Sequence, residues 1–320
     1  MRRHLLQAVA AIGLIAGSVG LSAGAHAAGD PASCKNISFS NVGWTDISAT
    51  TGTATYILDA LGYKTTTTIL SVPVTFEEMK QKKIDVFLGN WMPTMADNIK
   101  PYVANKTVDV LGANLNGAKY TLAVPTYLYN EGLKSFQDIA KFSKELDGKI
   151  YGIEPGNDGN ALILDMIKKN TDGVGKFTLV QSSEQGMLAE VTRKTKAHKG
   201  IVFLGWEPHP MNTKYDMQYL SGGDAIFGPD YGGATVYTNT TGGYVQACPN
   251  TGKFLTQLKF TLDMENTIMG SIMYDKLDPM PAAQKWLKAN PDAMTPWLAG
   301  VTTADGSAPA EPAVKKSLGL

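Results

Sequence analysis

The chain has 320 residues, 43% of them hydrophobic, with 29 basic and 29 acidic side chains and no formal net charge. That balance leaves no electrostatic footprint for nucleic acid. With four histidines in all, no histidine-rich metal site is expected, and Gly175-Lys176 runs into Phe177 without the earlier glycine of a phosphate loop, so neither metal nor cofactor is implied.

Residues 1–28 read as an export signal. Arg2 and Arg3 start it, residues 5–21 are apolar, and Ala25-His26-Ala27 is a small-residue cleavage signature, so cleavage is expected after Ala27 or Ala28. No later stretch offers about 18 uninterrupted apolar residues, so nothing else is expected to cross a membrane. Export places Cys34 and Cys248 in an oxidising compartment, where two such thiols pair. Closing a loop of that length is worth roughly 4–5 kcal/mol in the chain-entropy model. A lipid-anchored Cys34, after Ala32-Ser33, is the competing reading; Asp30, Pro31 and the distance from the apolar stretch weigh against it. Loss of Arg2 and Arg3 leaves 27 basic residues against 29 acidic ones, and only His198 and His209 remain after His4 and His26 depart.

The mature part, about 290 residues, is long for one core. Residues 37–42 read as a strand ending at Gly43-Trp44-Thr45-Asp46. A helix follows, with Thr50 or Thr51 as cap and Ala54, Ile57, Leu58 and Leu61 on one face, stopped by Gly62. Residues 65–72 read as a strand, 76–82 as a short helix and 84–88 as a strand. Residues 108–111 and 120–124 read as two strands separated by a glycine-bearing segment. A second unit starts with a strand over 150–153 and a helix capped by Asn157 or Asp158. It continues with a helix over 184–196 and a strand over 200–204. Residues 226–243 look like a crossing segment with a strand at 236–239, and helices are expected over 253–263, 268–274 and 281–289. The Ala- and Pro-rich stretch 302–320 is expected to be loosely ordered.

Alternating strands and helices imply an α/β fold with helices covering the sheets. Phe87-Leu88-Gly89 and Phe203-Leu204-Gly205 repeat one phrase and suggest two similar lobes. The expected division places residues 29–115 and 226–320 in lobe 1 and residues 116–225 in lobe 2. Hinge closure about a ligand in the cleft would follow.

Three tryptophans close comparable phrases: Val42-Gly43-Trp44, Gly89-Asn90-Trp91 and Gly205-Trp206. Each is expected at a strand tip, where α/β proteins place ligands. Indoles gathered at one cleft make an aromatic cage for a quaternary ammonium, with Tyr120 as the fourth wall. Core packing is the ordinary use of a tryptophan, and it is the reading for Trp286 and Trp297. Asp46 beside the cage would neutralise a cation or accept from a hydroxyl; a turn or cap role is the alternative. Asn157 could bond a ligand oxygen or simply cap its helix. His198 lies in a charged, solvated stretch, and His209 could line the cleft rim. The mature part contains no Gly-x-Ser-x-Gly elbow, which argues against a serine hydrolase.

These phrases resemble the periplasmic substrate-binding proteins of quaternary-amine ABC importers, the glycine betaine and choline group. The resemblance covers residues 37–298. It rests on Gly43-Trp44-Thr45-Asp46, Gly89-Asn90-Trp91-Met92-Pro93, Ala118-Lys119-Tyr120, Gly156-Asn157-Asp158-Gly159 and Gly205-Trp206-Glu207-Pro208-His209, and on Trp286-Leu287-Lys288-Ala289-Asn290-Pro291 with Trp297-Leu298. It implies a two-lobed clamshell without catalysis, acting as a monomer. It implies a box of Trp44, Trp91, Tyr120 and Trp206 around a trimethylammonium, with Asp46 and Asn157 at the hydroxyl end. Delivery to a membrane permease driven by a separate ATPase is implied too, and the family's disulfide fits Cys34 and Cys248. Within the group, no site phrase supplies an arginine, Lys119 should face away from Tyr120, and Asp46 would repel a carboxylate. Choline or its acetyl ester is therefore expected over glycine betaine. An osmoprotectant betaine receptor and an exported choline-ester hydrolase are the alternatives.

Overall fold

The protein is described here by a computed structural model covering residues 29–320; the export segment expected over 1–28 lies outside the described residues. β1 (Asn36–Asn41) starts from an exposed Asn36 and buries Ile37 and then everything from Phe39 to Asn41, as a strand covered on both faces does. Gly43 then turns the chain at φ +88°, a conformation that costs a glycine nothing. Helix α1 (Thr45–Ala60) begins at once, with Trp44 in the N-cap position. The other strands are β2 (Lys64–Ile69), β3 (Val86–Met92), β4 (Val108–Pro125), β5 (Lys149–Tyr151), β6 (Thr178–Val180), β7 (Phe203–Glu207), β8 (Met217–Tyr219) and β9 (Gly233–Thr241).

They hydrogen-bond in the order β2-β1-β3-β9-β4-β7-β5-β6, with β8 also on β4. The parallel pairs β1–β2 and β1–β3 form one half, and the parallel pairs β5–β6 and β5–β7 form the other. The antiparallel strand β4 joins them. Its first part pairs with β9 and its last residues pair with β7 and β8. Two lobes thus share long crossing strands at their junction. In the first lobe α1 packs on helices Leu262–Met273 and Pro279–Ala289. In the second, helices Asp158–Lys169 and Glu184–Lys196 follow β5 and β6.

Cys34 and Cys248 are bonded, with their Cα atoms 5.8 Å apart, and no described cysteine is free. Beside the bridge, buried Asp30 accepts from the Asn250 and Thr251 N–H groups, each at 2.8 Å, and caps helix Pro249–Gln257.

Several expectations need correction. Residues 108–111 and 120–124 belong to one continuous strand. Register shifts against β9 absorb the intervening glycines, as bulges do. Thr50 and Thr51 are buried inside α1 rather than capping it, because the Gly43 turn already ends the preceding strand. Val72 starts helix Val72–Lys80 instead of ending a strand. The expected helix 253–263 divides into Pro249–Gln257 and the start of Leu262–Met273, with Thr261 capping the second through Met264 N–H. Residues 302–320 are docked, not loose. Thr302 N–H donates to Asn250 Oδ1 at 2.9 Å, Ala304 N–H donates to Leu61 C=O at 2.8 Å, and helix Ala310–Ser317 buries Ala310 and Val314.

Candidate functional site

A small, tightly lined cavity lies between the lobes, bounded by Trp44, Asp46, Trp91, Tyr120, Ile153 and Trp206. Trp44 and Asp46 come from the start of α1 and Trp91 from β3; Tyr120, Trp206 and Ile153 come from β4, β7 and the residue pair after β5. Trp91 and Trp206 lie inside the ends of their strands, not beyond them, while Trp44 lies on the helix cap. Tyr120 and Trp206 are direct cross-strand partners, so both rings project from one face. The next pair, Lys119 and Glu207, projects from the opposite face and forms an ion pair at 3.2 Å away from the cavity. The rings meet at angles: Trp91 and Tyr120 are 6.0 Å apart at 62°, and Tyr120 and Trp206 are 6.2 Å apart at 83°. Walls set at such angles enclose a volume, whereas a stacked pair would close it.

Polar tips of three rings are tied back into the protein. Trp44 Nε1 donates to Glu154 Oε1 at 2.9 Å, Trp91 Nε1 to Asp46 Oδ2 at 3.2 Å, and the Tyr120 hydroxyl to Asn157 Oδ1 at 2.9 Å. Asn157 does not line the cavity. Its Oδ1 also accepts from Asn160 N–H at 2.9 Å, capping helix Asp158–Lys169, and its Nδ2 donates to Asp158 Oδ1 at 3.1 Å. The cap is one of the two roles expected of this residue, and the same oxygen holds the Tyr120 phenol in place. Gly159 makes room for that phenol, because a Cβ there would collide with the Tyr120 hydroxyl.

Acidic groups dominate the surroundings. Asp46 is 1% exposed, and its Oδ1 has no hydrogen-bond partner. Burial, then the nearby Glu184 charge, push its carboxyl up to about 8. Burial also raises Glu154 to about 7 and Asp158 to about 6. Glu265, on helix Leu262–Met273, is pushed well above the usual carboxylate range by burial and by Asp46. No lysine or arginine is among the residues lining the cavity. An apolar chamber ringed by carboxyl groups is suited to a small, poorly hydrated cation.

Sequence reading missed Ile153, Glu154, Glu184 and Glu265. Ile153 and Glu154 stand at the end of a strand already expected to open a ligand-facing loop, so position alone could have found them. Glu184 and Glu265 carry no local signal. His209 is not at a rim: it is fully buried, accepts from Met211 N–H through Nδ1 at 2.9 Å, and faces Glu184 Oε1 through Nε2 at 3.2 Å. His198 is exposed and stacks on Tyr127. Trp297 is buried as expected; Trp286 is only half-buried against the core.

Known proteins resemble this chain in both sequence and shape. An ABC-transporter choline-binding protein solved with choline is 58% identical, covers 90% of this chain and all of its own, and superposes with a TM-score of 0.89. The unliganded, semi-closed form gives 0.83 at the same identity and coverage. A glycine betaine/carnitine transport binding protein, GbuC of Listeria monocytogenes, is 28% identical over 163 residues, which is 51% of this chain and 53% of that protein. Residues 35–289 match the model of the substrate-binding domain of ABC-type glycine betaine transport systems. The chain is therefore a member of that substrate-binding family, with the two-lobed α/β fold its cavity requires.

Proposed function

We propose that the protein binds choline in the periplasm and hands it to an ABC permease powered by a separate ATPase, without catalysing a reaction. The observation that carries this reading is the acidic aromatic chamber: four ring walls, the unpartnered Oδ1 of buried Asp46, and no basic residue in the lining. Aromatic faces attract a trimethylammonium by about 0.5–2 kcal/mol each way, more when water is excluded. A cation in the chamber holds Asp46 ionised and pairs with it, whereas the carboxylate of a zwitterion would push that already raised carboxyl further up and forfeit the ion pair. Its lining has no serine, cysteine, threonine or histidine to act as a nucleophile.

The ring walls and Asp46 form the contact set in this reading, and Asn157 orients Tyr120. The lobes divide at residues 115–116, within β4, and at residues 225–226, in the short helix Asp224–Phe227 ahead of β9, and the protein acts as a monomer. No helix among the described residues is long and apolar enough to cross a membrane. Calorimetry with choline, acetylcholine, glycine betaine and proline betaine tests the proposal. Choline binding tighter than glycine betaine by tenfold or more supports it; equal or reversed preference refutes the choline assignment in favour of a betaine receptor. Turnover of a choline ester would refute the non-catalytic reading.

A further inference from the structure

Glu184 has no place in the cavity lining, yet it is 1% exposed and bound from both lobes. It opens helix Glu184–Lys196 of the second lobe, behind the Ser183 cap. Its Oε2 accepts the Thr45 N–H at 2.8 Å, and its Oε1 accepts the Thr45 hydroxyl. Thr45 is the first residue of α1, in the first lobe. A third donor comes from His209: Nδ1 accepts from Met211 N–H, so the ring proton sits on Nε2 and points at Glu184 Oε1.

We infer that Glu184 is the closure latch of the clamshell, a positioning residue that sets the two halves of the cage in register. A buried carboxylate is tolerated only when its lone pairs are engaged and charge is offset nearby. Here two helix N-termini face it, its own and that of α1. Each presents the positive end of a dipole, and each has N–H groups unused by the helix. The Thr45 N–H is one of those unused donors, and no other group accepts it. The latch forms only in the closed arrangement, because its donor and acceptor belong to different lobes.

Its placement ties it to the chamber on both sides. Thr45 lies between Trp44 and Asp46, which line the cavity, so fixing Thr45 fixes both. Trp44 Nε1 makes a second bond across the cleft, to Glu154. On the other side His209 packs edge-on against the Trp206 indole, ring centres 4.8 Å apart at 69°. One carboxylate thus connects the Trp44–Asp46 half of the cage with the Trp206 half. The inference rests on the clamshell reading of the cleft and adds that closure energy resides partly outside the ligand's own contacts.

The test uses Glu184→Gln and Thr45→Val in the full mature chain. A glutamine has one acceptor oxygen for donors from two lobes, and its amide must face one of them donor to donor. Valine keeps the shape of Thr45 and its N–H but lacks the hydroxyl. Spin labels at exposed Lys64 and Lys168, one in each lobe, report opening without ligand. Stopped-flow release of choline reports the lifetime of the closed complex. Glu184→Gln is expected to shift the ligand-free distances toward open and to raise the choline release rate at least tenfold. Thr45→Val should do the same to a smaller extent, and the pair should be non-additive. Wild-type distances and release rates in both variants would overturn the latch. So would a lower melting temperature of the ligand-free protein with unchanged distances, which marks a role inside one lobe. If wild type fails to bind choline, the ligand assignment fails, while the ligand-free distances still decide the latch.

Discussion

In the choline complex, where the cation holds Asp46 ionised, replacing it by asparagine removes that one charge and almost nothing else. The amide oxygen can still accept from Trp91 Nε1, which now bonds Oδ2 at 3.2 Å. A trimethylammonium filling the cavity would lie roughly 5 Å from the carboxylate, since Asp46 forms part of the wall. At an effective dielectric constant of about 20 that separation is worth about 3 kcal/mol, on the order of a hundredfold in affinity. A betaine would lose far less, because Asp46, already raised to about 8, stays protonated beside the ligand's own carboxylate and contributes little charge there. The expected change for glycine betaine is within about fivefold. Asp46→Asn should also raise the melting temperature of the ligand-free protein, since a buried acid beside Glu184 and Glu265 is gone. Paired calorimetric titrations of wild type and variant, at one salt concentration, measure both effects. Equal losses for choline and glycine betaine, or an unchanged choline affinity, would refute the electrostatic argument for choline.

Other outcomes follow from the same geometry. Trp206→Ala should weaken choline more than tenfold while Trp206→Phe loses less, because a ring face remains; titration of both variants checks this, and equal affinities would remove Trp206 from the cage. In the empty closed cleft Asp46 titrates at about 8, against 3.8 for a solvated aspartate. The protonated form therefore favours closure, so the ligand-free closed population should be largest at low pH and fall as pH rises from about 4 toward 8. Choline should abolish that dependence by holding Asp46 ionised, which small-angle scattering across this range can follow; closure that grows with pH would contradict it. Thiol titration of the denatured, unreduced mature chain should find no free thiol. Replacing both Cys34 and Cys248 by serine should lower stability by about 2–5 kcal/mol, as read by denaturant unfolding.

Legibility from sequence depended on how local each cause was. The faces of β4 and β7 could be read because strand alternation is a property of successive residues. Tyr120 inward therefore forced Lys119 outward. The continuity of β4 could not be read, because its glycines are local breakers and only pairing with β9 overrides them. The tail was misread for the same reason: its composition suggests disorder, but Val314 and Leu318 find a buried surface that no neighbouring residue announces.

The candidate site divides along the same line. By itself the sequence singled out Trp44, Asp46, Trp91, Tyr120 and Trp206, which line the cavity, and the two cysteines, which pair, since residue type and strand phrase already limit what such groups can do. Only the tertiary structure decided that Asn157 braces Tyr120, that His209 is buried, and that Glu184 and Glu265 stand behind the chamber. These roles arise from bringing residues such as Thr45 and Glu184, 139 positions apart, within one hydrogen bond. Closure also removes the water that would screen the acids. Charge placed in a dry cleft is a property of the folded volume, and no stretch of chain carries it alone.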